Sequence, residues 1–214
     1  MVNRNWELLK YFMNTSQFIA TTILAALSTA LGLGEGQRFE ESHGSDTLSH
    51  SILACNKHPK HRATDPNIGH PAHTDLGSIT ILIAPQWGLQ VLSPGSEKWA
   101  FVAPLPEHVV INVGDSLRHM SQNKLRSSLH RVVPNPATIE QEDRYSLSYF
   151  LRPDRDAVFH DAEGNVYTTD QWHDLKTVNQ RRNHGEMMPL LQTGKRGLLG
   201  LWSTAATSAI QSGN

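Results

Sequence analysis

Between Leu48 and Arg152 no apolar run is long enough for a helix before a proline or glycine breaks it. Seven short runs read as strands: Leu48–Cys55, Ile79–Ala84, Gly88–Leu92, Trp99–Ala103, Val109–Val113, Ser127–Val133 and Tyr145–Arg152. Pro59, Pro66, Pro85, Pro94-Gly95, Pro104, Pro106, Gly114 and Pro134 to Pro136 punctuate them. Many short strands with frequent turns call for a sandwich or barrel, and a double-sheet jelly roll is the expected form. No helix-length pattern interrupts the stretch, which excludes a doubly wound parallel sheet. The fold class is therefore mainly β with flanking helices.

The flanks differ in character. Phe18 to Leu33 carries no charge, but its 16 residues fall short of the ~20 that span a bilayer. Arg4, Lys10 and the small residues Ser28-Thr29-Ala30 give it some likeness to a signal peptide. Its amphipathic pattern favours a buried soluble helix instead. Ile19, Ile23, Leu27 and Leu31 would share one face, with Gln17, Thr21, Thr22 and Ser28 on the other. Thr15 or Ser16 would cap its start, and Gly32 or Gly34 its end. Gly34 to Thr47 reads as a loop and Thr169 to Arg182 as a helix, while Gly197 to Asn214 is rich in small residues.

Charge is nearly balanced, 19 basic against 20 acidic residues. That excludes a bulk electrostatic pull toward nucleic acid or anionic lipid. A lone Cys55 forms no internal disulfide and fits a reducing, cytoplasmic location. Of the 12 histidines, His43, His50, His61, His160, His173 and His184 lie among polar residues and read as solvated surface groups.

Two other histidines stand apart. His73-Thr74-Asp75 puts an imidazole and a carboxylate on one side of an extended segment, because side chains alternate with period two. His130 follows 57 residues later, within Ser-Ser-Leu-His-Arg-Val. Two imidazoles and one carboxylate, without thiolate, are the ligand set that holds non-haem Fe(II) on one face and leaves the opposite positions open. Alone, a His-x-Asp pair is a common accident, and His130 in an alternating strand reads equally as a core histidine. Arg144 and Ser146, two apart at the start of the last strand, offer a guanidinium fork and a hydroxyl to a carboxylate. The plain alternative is a surface salt bridge with Glu142 or Asp143. 2-Oxoglutarate, which chelates a metal at one end and carries a carboxylate at the other, has the shape such a pair of sites accepts.

These elements occur in a fixed order: His73-Thr74-Asp75, Gly88-Leu89-Gln90-Val91, Trp99, Ile111-Asn112-Val113-Gly114-Asp115, Ser128-Leu129-His130-Arg131-Val132, Arg144-Tyr145-Ser146 and Phe150-Leu151-Arg152-Pro153. Together they resemble the 2-oxoglutarate/Fe(II)-dependent dioxygenases of the isopenicillin N synthase-like group. The resemblance implies that His73, Asp75 and His130 ligate Fe(2+), and that Arg144 and Ser146 bind the distal carboxylate of 2-oxoglutarate. It implies O2 as the oxidant and a small organic substrate, hydroxylated, desaturated or ring-rearranged in secondary-metabolite biosynthesis. Gly114-Asp115 would form a tight turn beneath the site, and Gly88 to Val91, Trp99 and Arg131 would be scaffold.

There are two departures from the family pattern. His58 stands where the family often has a tyrosine before proline, making it a candidate contact to co-substrate or substrate. The family also usually has a further amino-terminal region, about half as long as this chain, and these 214 residues are expected to begin inside it, near its long helix. The jelly roll is thus expected to be truncated at its amino end, with 1–47 a helical lead-in, 48–155 the oxygenase core and 156–214 a helical or irregular tail. Two rival readings remain: an Fe(II) oxidase that does not use 2-oxoglutarate, and an inactive jelly-roll binding module.

Overall fold

Alternation along the strands decides the architecture. The structure, a computed structural model, describes residues 2–59, 70–94, 96, 98–135, 143–160 and 165–182. β1 (Ile52–His58), β3 (Ile79–Ile83), β6 (Val110–Val113) and β8 (Arg144–Leu151) form one antiparallel sheet in the order β1-β8-β3-β6. β2 (His70–His73), β4 (Leu89–Leu92), β5 (Trp99–Phe101) and β7 (His130–Val132) form a second, in the order β2-β7-β4-β5. The chain crosses between the sheets repeatedly, as the expected jelly roll requires.

One face of the first sheet is apolar. Ile79, Ile81, Tyr149 and Leu151 pack there with Ala20 and Leu24 of α1 (Trp6–Ala30), and with Phe39 and Leu117. Each such burial stabilises by roughly 1.5–3 kcal/mol for a large side chain. The opposite face carries Asn56, His58, Thr80, Asn112, Arg144, Ser146 and Ser148, which the register aligns with one another. The same register also puts Ile52, Ala54, Leu82, Val110 and Phe150 on this face, so polar side chains sit there among apolar ones.

α1 begins twelve residues earlier than the uncharged run suggested, and neither Thr15 nor Ser16 caps it. Nothing from Trp6 to Phe18 breaks a helix; Glu7 and Lys10 merely interrupt its hydrophobicity. Its end is as expected. Gly32 adopts φ +68°, and the Leu33 and Gly32 amides bond to the Ser28 and Thr29 carbonyls, closing a Schellman motif. The buried stripe is Ser16, Ala20, Leu24 and Ser28, rotated from the isoleucine face, and Ile19 is 40% exposed. Ser28 is tolerated in the core because its hydroxyl accepts from the Phe39 amide (2.9 Å) and donates to Glu40 Oε2 (2.8 Å). No helix among the described residues is long and apolar enough to cross a membrane.

Other departures are local. The expected 34–47 loop contains a 3-10 turn, Phe39–Ser42, with Phe39 buried. A six-residue helix, α2 (Asp115–Met120), interrupts the strand-rich stretch. A hairpin of β9 (Val158–His160) and β10 (Val166–Thr168) precedes α3 (Thr169–Arg182). His43 is not a surface group: it is 2% exposed, its Nδ1 bonded to the Phe39 carbonyl and its Nε2 to the Ser78 hydroxyl. His50 and His173 are half-buried and stacked at 4.0 Å. His61, His184 and the 197–214 segment lie outside the described residues.

Candidate functional site

The site forms where β2 and β7 meet. Their pairing sets His73 directly opposite His130, with ring centroids 4.2 Å apart. The chain leaves β2 at His73, and Thr74 turns Asp75 back toward both rings. Asp75 Oδ1 lies 3.6 Å from His73 Nε2 and 3.7 Å from His130 Nε2. One ligand atom from each of the three residues falls within 4.8 Å of the others.

The remaining polar atoms of these side chains are tethered. His73 Nδ1 donates to the Pro71 carbonyl (2.8 Å) and His130 Nδ1 to the Ser128 carbonyl (2.9 Å). Both rings are thereby fixed in the tautomer whose Nε2 lone pair faces Asp75. Asp75 Oδ2 accepts from the Thr80 hydroxyl (2.6 Å) and the Asn112 amide (2.7 Å), leaving Oδ1 turned toward the histidines. Burial, reinforced by the neighbouring His130 and His70, holds the His73 imidazole well below the ordinary histidine value. The ring is therefore neutral, the form that donates to a metal. Two imidazoles and one 5%-exposed carboxylate, each oriented by a second hydrogen bond, suit a divalent cation such as Fe(II).

Beneath the cluster lies the expected Gly114-Asp115 turn, continuing as the first turn of α2. The Asp115 amide donates to the Asp75 carbonyl (2.7 Å). The wholly buried Asp115 carboxylate accepts from Thr74 (3.0 Å) and Ser127 (2.7 Å). One side chain thus ties the loop bearing Asp75 to the segment leading into His130. A Cβ on Gly114 would lie 2.2 Å from the Gly77 carbonyl oxygen, so no other residue fits without moving the loop.

Arg144 opens β8, 3% exposed, with Nε donating to the Trp87 carbonyl at 2.9 Å. It is therefore a buried group and not a surface one, while Asp143 pairs with Lys57 at 2.8 Å. Ser146 shares its face, and His58 pairs with Arg144 across β1–β8 as the last residue of a strand. Arg131 points to the other side of its sheet, with Nε bonded to Gln90 Oε1 (2.8 Å) and its guanidinium 4.2 Å from the Trp99 ring.

The sequence profile of the 2OG-Fe(II) oxygenase superfamily matches residues 49–153. A 2-oxoglutarate-dependent dioxygenase of Amanita muscaria, iboH, is 46% identical over 185 residues, covering 86% of this chain and 89% of that protein. The chain belongs to the 2OG-Fe(II) oxygenase superfamily. The dioxygenase FG08081 of Gibberella zeae is 42% identical, covering 86% of this chain but 55% of its own length. A full-length Neurospora crassa protein, solved in complex with alpha-KG, shares the fold with a TM-score of 0.71 at 22% identity, over 82% of this chain and 57% of that one. Apart from the first relative, the chain spans about half the length of the relatives it matches most strongly.

Within this superfamily fold, three site residues had no assigned role in the sequence reading. Thr80 and Asn112 each place a polar side chain in the middle of an apolar strand, a legible signal of a polar interior. His70, whose ring meets His73 edge-on at 4.2 Å, gave none. Residues three apart on a regular strand point to opposite faces, and only a register irregularity between His70 and His73 brings them together.

Proposed function

We propose that the chain is an Fe(II)- and 2-oxoglutarate-dependent dioxygenase that oxidises a small organic molecule in cytoplasmic secondary-metabolite biosynthesis. The observation that carries this reading is the convergence of His73 Nε2, Asp75 Oδ1 and His130 Nε2, each aimed by a hydrogen bond on its other polar atom. The superfamily membership of the chain supports it. In this reading His73, Asp75 and His130 hold Fe(2+), and Arg144 and Ser146 bind the distal carboxylate of 2-oxoglutarate. His58 lies beside that carboxylate, in the 48–155 oxygenase core.

When bound, the metal and co-substrate supply the oxidative chemistry: 2-oxoglutarate, O2 and a C–H bond become succinate, CO2 and an alcohol, with desaturation or ring rearrangement as variants. The chain's own residues bind and orient. The Pro71 and Ser128 carbonyls keep the Nδ1 protons, so both Nε2 atoms remain donors. Thr80 and Asn112 fix which Asp75 oxygen faces the metal. The Trp87 carbonyl fixes the plane of the Arg144 guanidinium, pre-orienting it for a carboxylate. The test is succinate formation from 2-oxoglutarate by the Fe(II)-loaded protein under air. Wild type should produce it, with or without a prime substrate, and His73→Ala should not. Turnover that survives in His73→Ala would remove the assignment.

A further inference from the structure

A cavity of about 500 Å³ is lined by the end of α1, the Phe39–Ser42 turn, the last turn of α2 and β9. It is separate from the site already described: His73, Asp75, His130, Arg144, Ser146 and His58 are all outside its lining. α2 touches both places. Its first residue, Asp115, bonds to Thr74 and Ser127, while His119 and Met120 at its other end line the cavity. The size falls within the roughly 300–1,000 Å³ of cavities that hold small molecules.

The lining combines an apolar surface with one unmatched charge. Phe39 and Phe159, 1% and 3% exposed, line it together with Met120. Its charged residues are Arg38 and Lys124, and no aspartate or glutamate is among the described residues that line it. Arg38 is already ion-paired with Glu40 at 2.6 Å, and it also donates to the Ala25 carbonyl and the Thr29 hydroxyl. Lys124 is exposed, and its ammonium has no ion pair or hydrogen bond with a described residue. It follows two residues in the left-handed region, Gln122 (φ 52°) and Asn123 (φ 63°), whose amides bond to the His119 and Arg118 carbonyls. A glutamine holds that conformation only where its surroundings enforce it, so the turn fixes where Lys124 begins.

We propose that this cavity is a second ligand site, for an organic monocarboxylate whose apolar body lies against Phe39, Met120 and Phe159 and whose carboxylate pairs with Lys124. Removing apolar area from water drives the body in, and the unmatched ammonium selects an anion over a neutral molecule of the same shape. A dianion is disfavoured, because Arg38 already has Glu40 and a second carboxylate would lose water without gaining a partner.

Equilibrium dialysis of the full chain against phenylbutyrate, with phenylbutanol as the neutral counterpart, tests this. Wild type should bind the acid more tightly than the alcohol. Lys124→Gln should weaken the acid about five-fold and leave the alcohol unchanged. Val158→Trp, at an exposed strand position lining the cavity, should weaken both by occupying the space. Arg144→Ala should bind the acid like wild type. Absence of binding by wild type, equal affinity for acid and alcohol, or an unchanged Kd for the acid in Lys124→Gln or Val158→Trp would each overturn the proposal. So would loss of phenylbutyrate binding in Arg144→Ala, which would place the acid at the Arg144 end of the other site.

Discussion

Two buried side chains show how much of this protein is set by single hydrogen-bonded groups. Burial pushes His43 down to about 4 from an ordinary value of 6.5, against partial opposition from Asp154 and Glu40. Its Nδ1–H donates to the Phe39 carbonyl, so Nε2 accepts from Ser78, an arrangement that needs the neutral ring. The unfolded chain therefore takes up this proton first. The stabilisation is intact above about pH 6.5 and is lost as pH falls from there toward 4, by up to about 3 kcal/mol. Denaturant unfolding at pH 7 and pH 4.5 should show the wild type losing clearly more stability than His43→Gln; parallel losses would refute it. Asp115 makes the complementary case. Asp115→Asn turns one of its two accepting oxygens into a donor facing Thr74 or Ser127, at a cost of about 1–3 kcal/mol. Because those two hydroxyls lead to Asp75 and His130, Fe(II) affinity should also fall, about 10–100-fold by analogy with other orienting residues of metal sites. A titration with Fe(II) under nitrogen measures it.

At the scale of elements, what was legible follows from what each pattern encodes. Strands β3, β4, β6 and β8 were found nearly to their ends because β-branched and aromatic runs are bounded there by Pro85, Gly88 and Gly114. β2 was missed because its four residues, His-Pro-Ala-His, have no strand composition; pairing with β7 alone makes it one. The convergence of His73, Asp75 and His130 was expected from the ordered motifs taken together and not from spacing alone, whereas His70 depends on a strand irregularity that spacing does not announce. α1 was misplaced only in part. Of the expected apolar face, Ile23, Leu27 and Leu31 do pack against the core while Ile19 is exposed, and the fully buried stripe, Ser16, Ala20, Leu24 and Ser28, lies beside them. Polar bonds then fix the docking: Tyr149 donates to Gln17 Oε1 (2.5 Å), and Gln17 Nε2 to the His43 carbonyl (3.1 Å). Ser28→Ala would leave the buried Phe39 amide unpaired and should cost about 1–3 kcal/mol. The effect should be confined to stability, read as a lower denaturant midpoint with Fe(II) affinity unchanged. A wild-type midpoint would mean that the Phe39 amide is not held by this bond.

At the scale of the whole molecule, the Asp75 carboxylate is bonded to one sheet and faces the other. Asp75 Oδ1 faces His73 and His130 of the second sheet, while Oδ2 is gripped by Thr80 and Asn112 of the first. A divalent ion bound there would stabilise the pairing of the sheets as well as the site. Binding to the folded state alone adds about 2.7 kcal/mol at a free metal concentration 100-fold above Kd. For a domain of this size that is a rise in Tm of about 5–11 °C. Mn(II), which is inert to oxidation in air, is the convenient probe, and His130→Ala should show almost none of the rise. 2-Oxoglutarate added to the Mn(II)-loaded protein should give a second increment, because it would bridge the metal on one sheet to Arg144 on the other. Arg144→Ala should keep the metal's increment and lose the co-substrate's. If both variants responded like wild type, the two sheets would not be coupled through this site. Loss of both increments in Arg144→Ala would show instead that the guanidinium holds the cluster itself together.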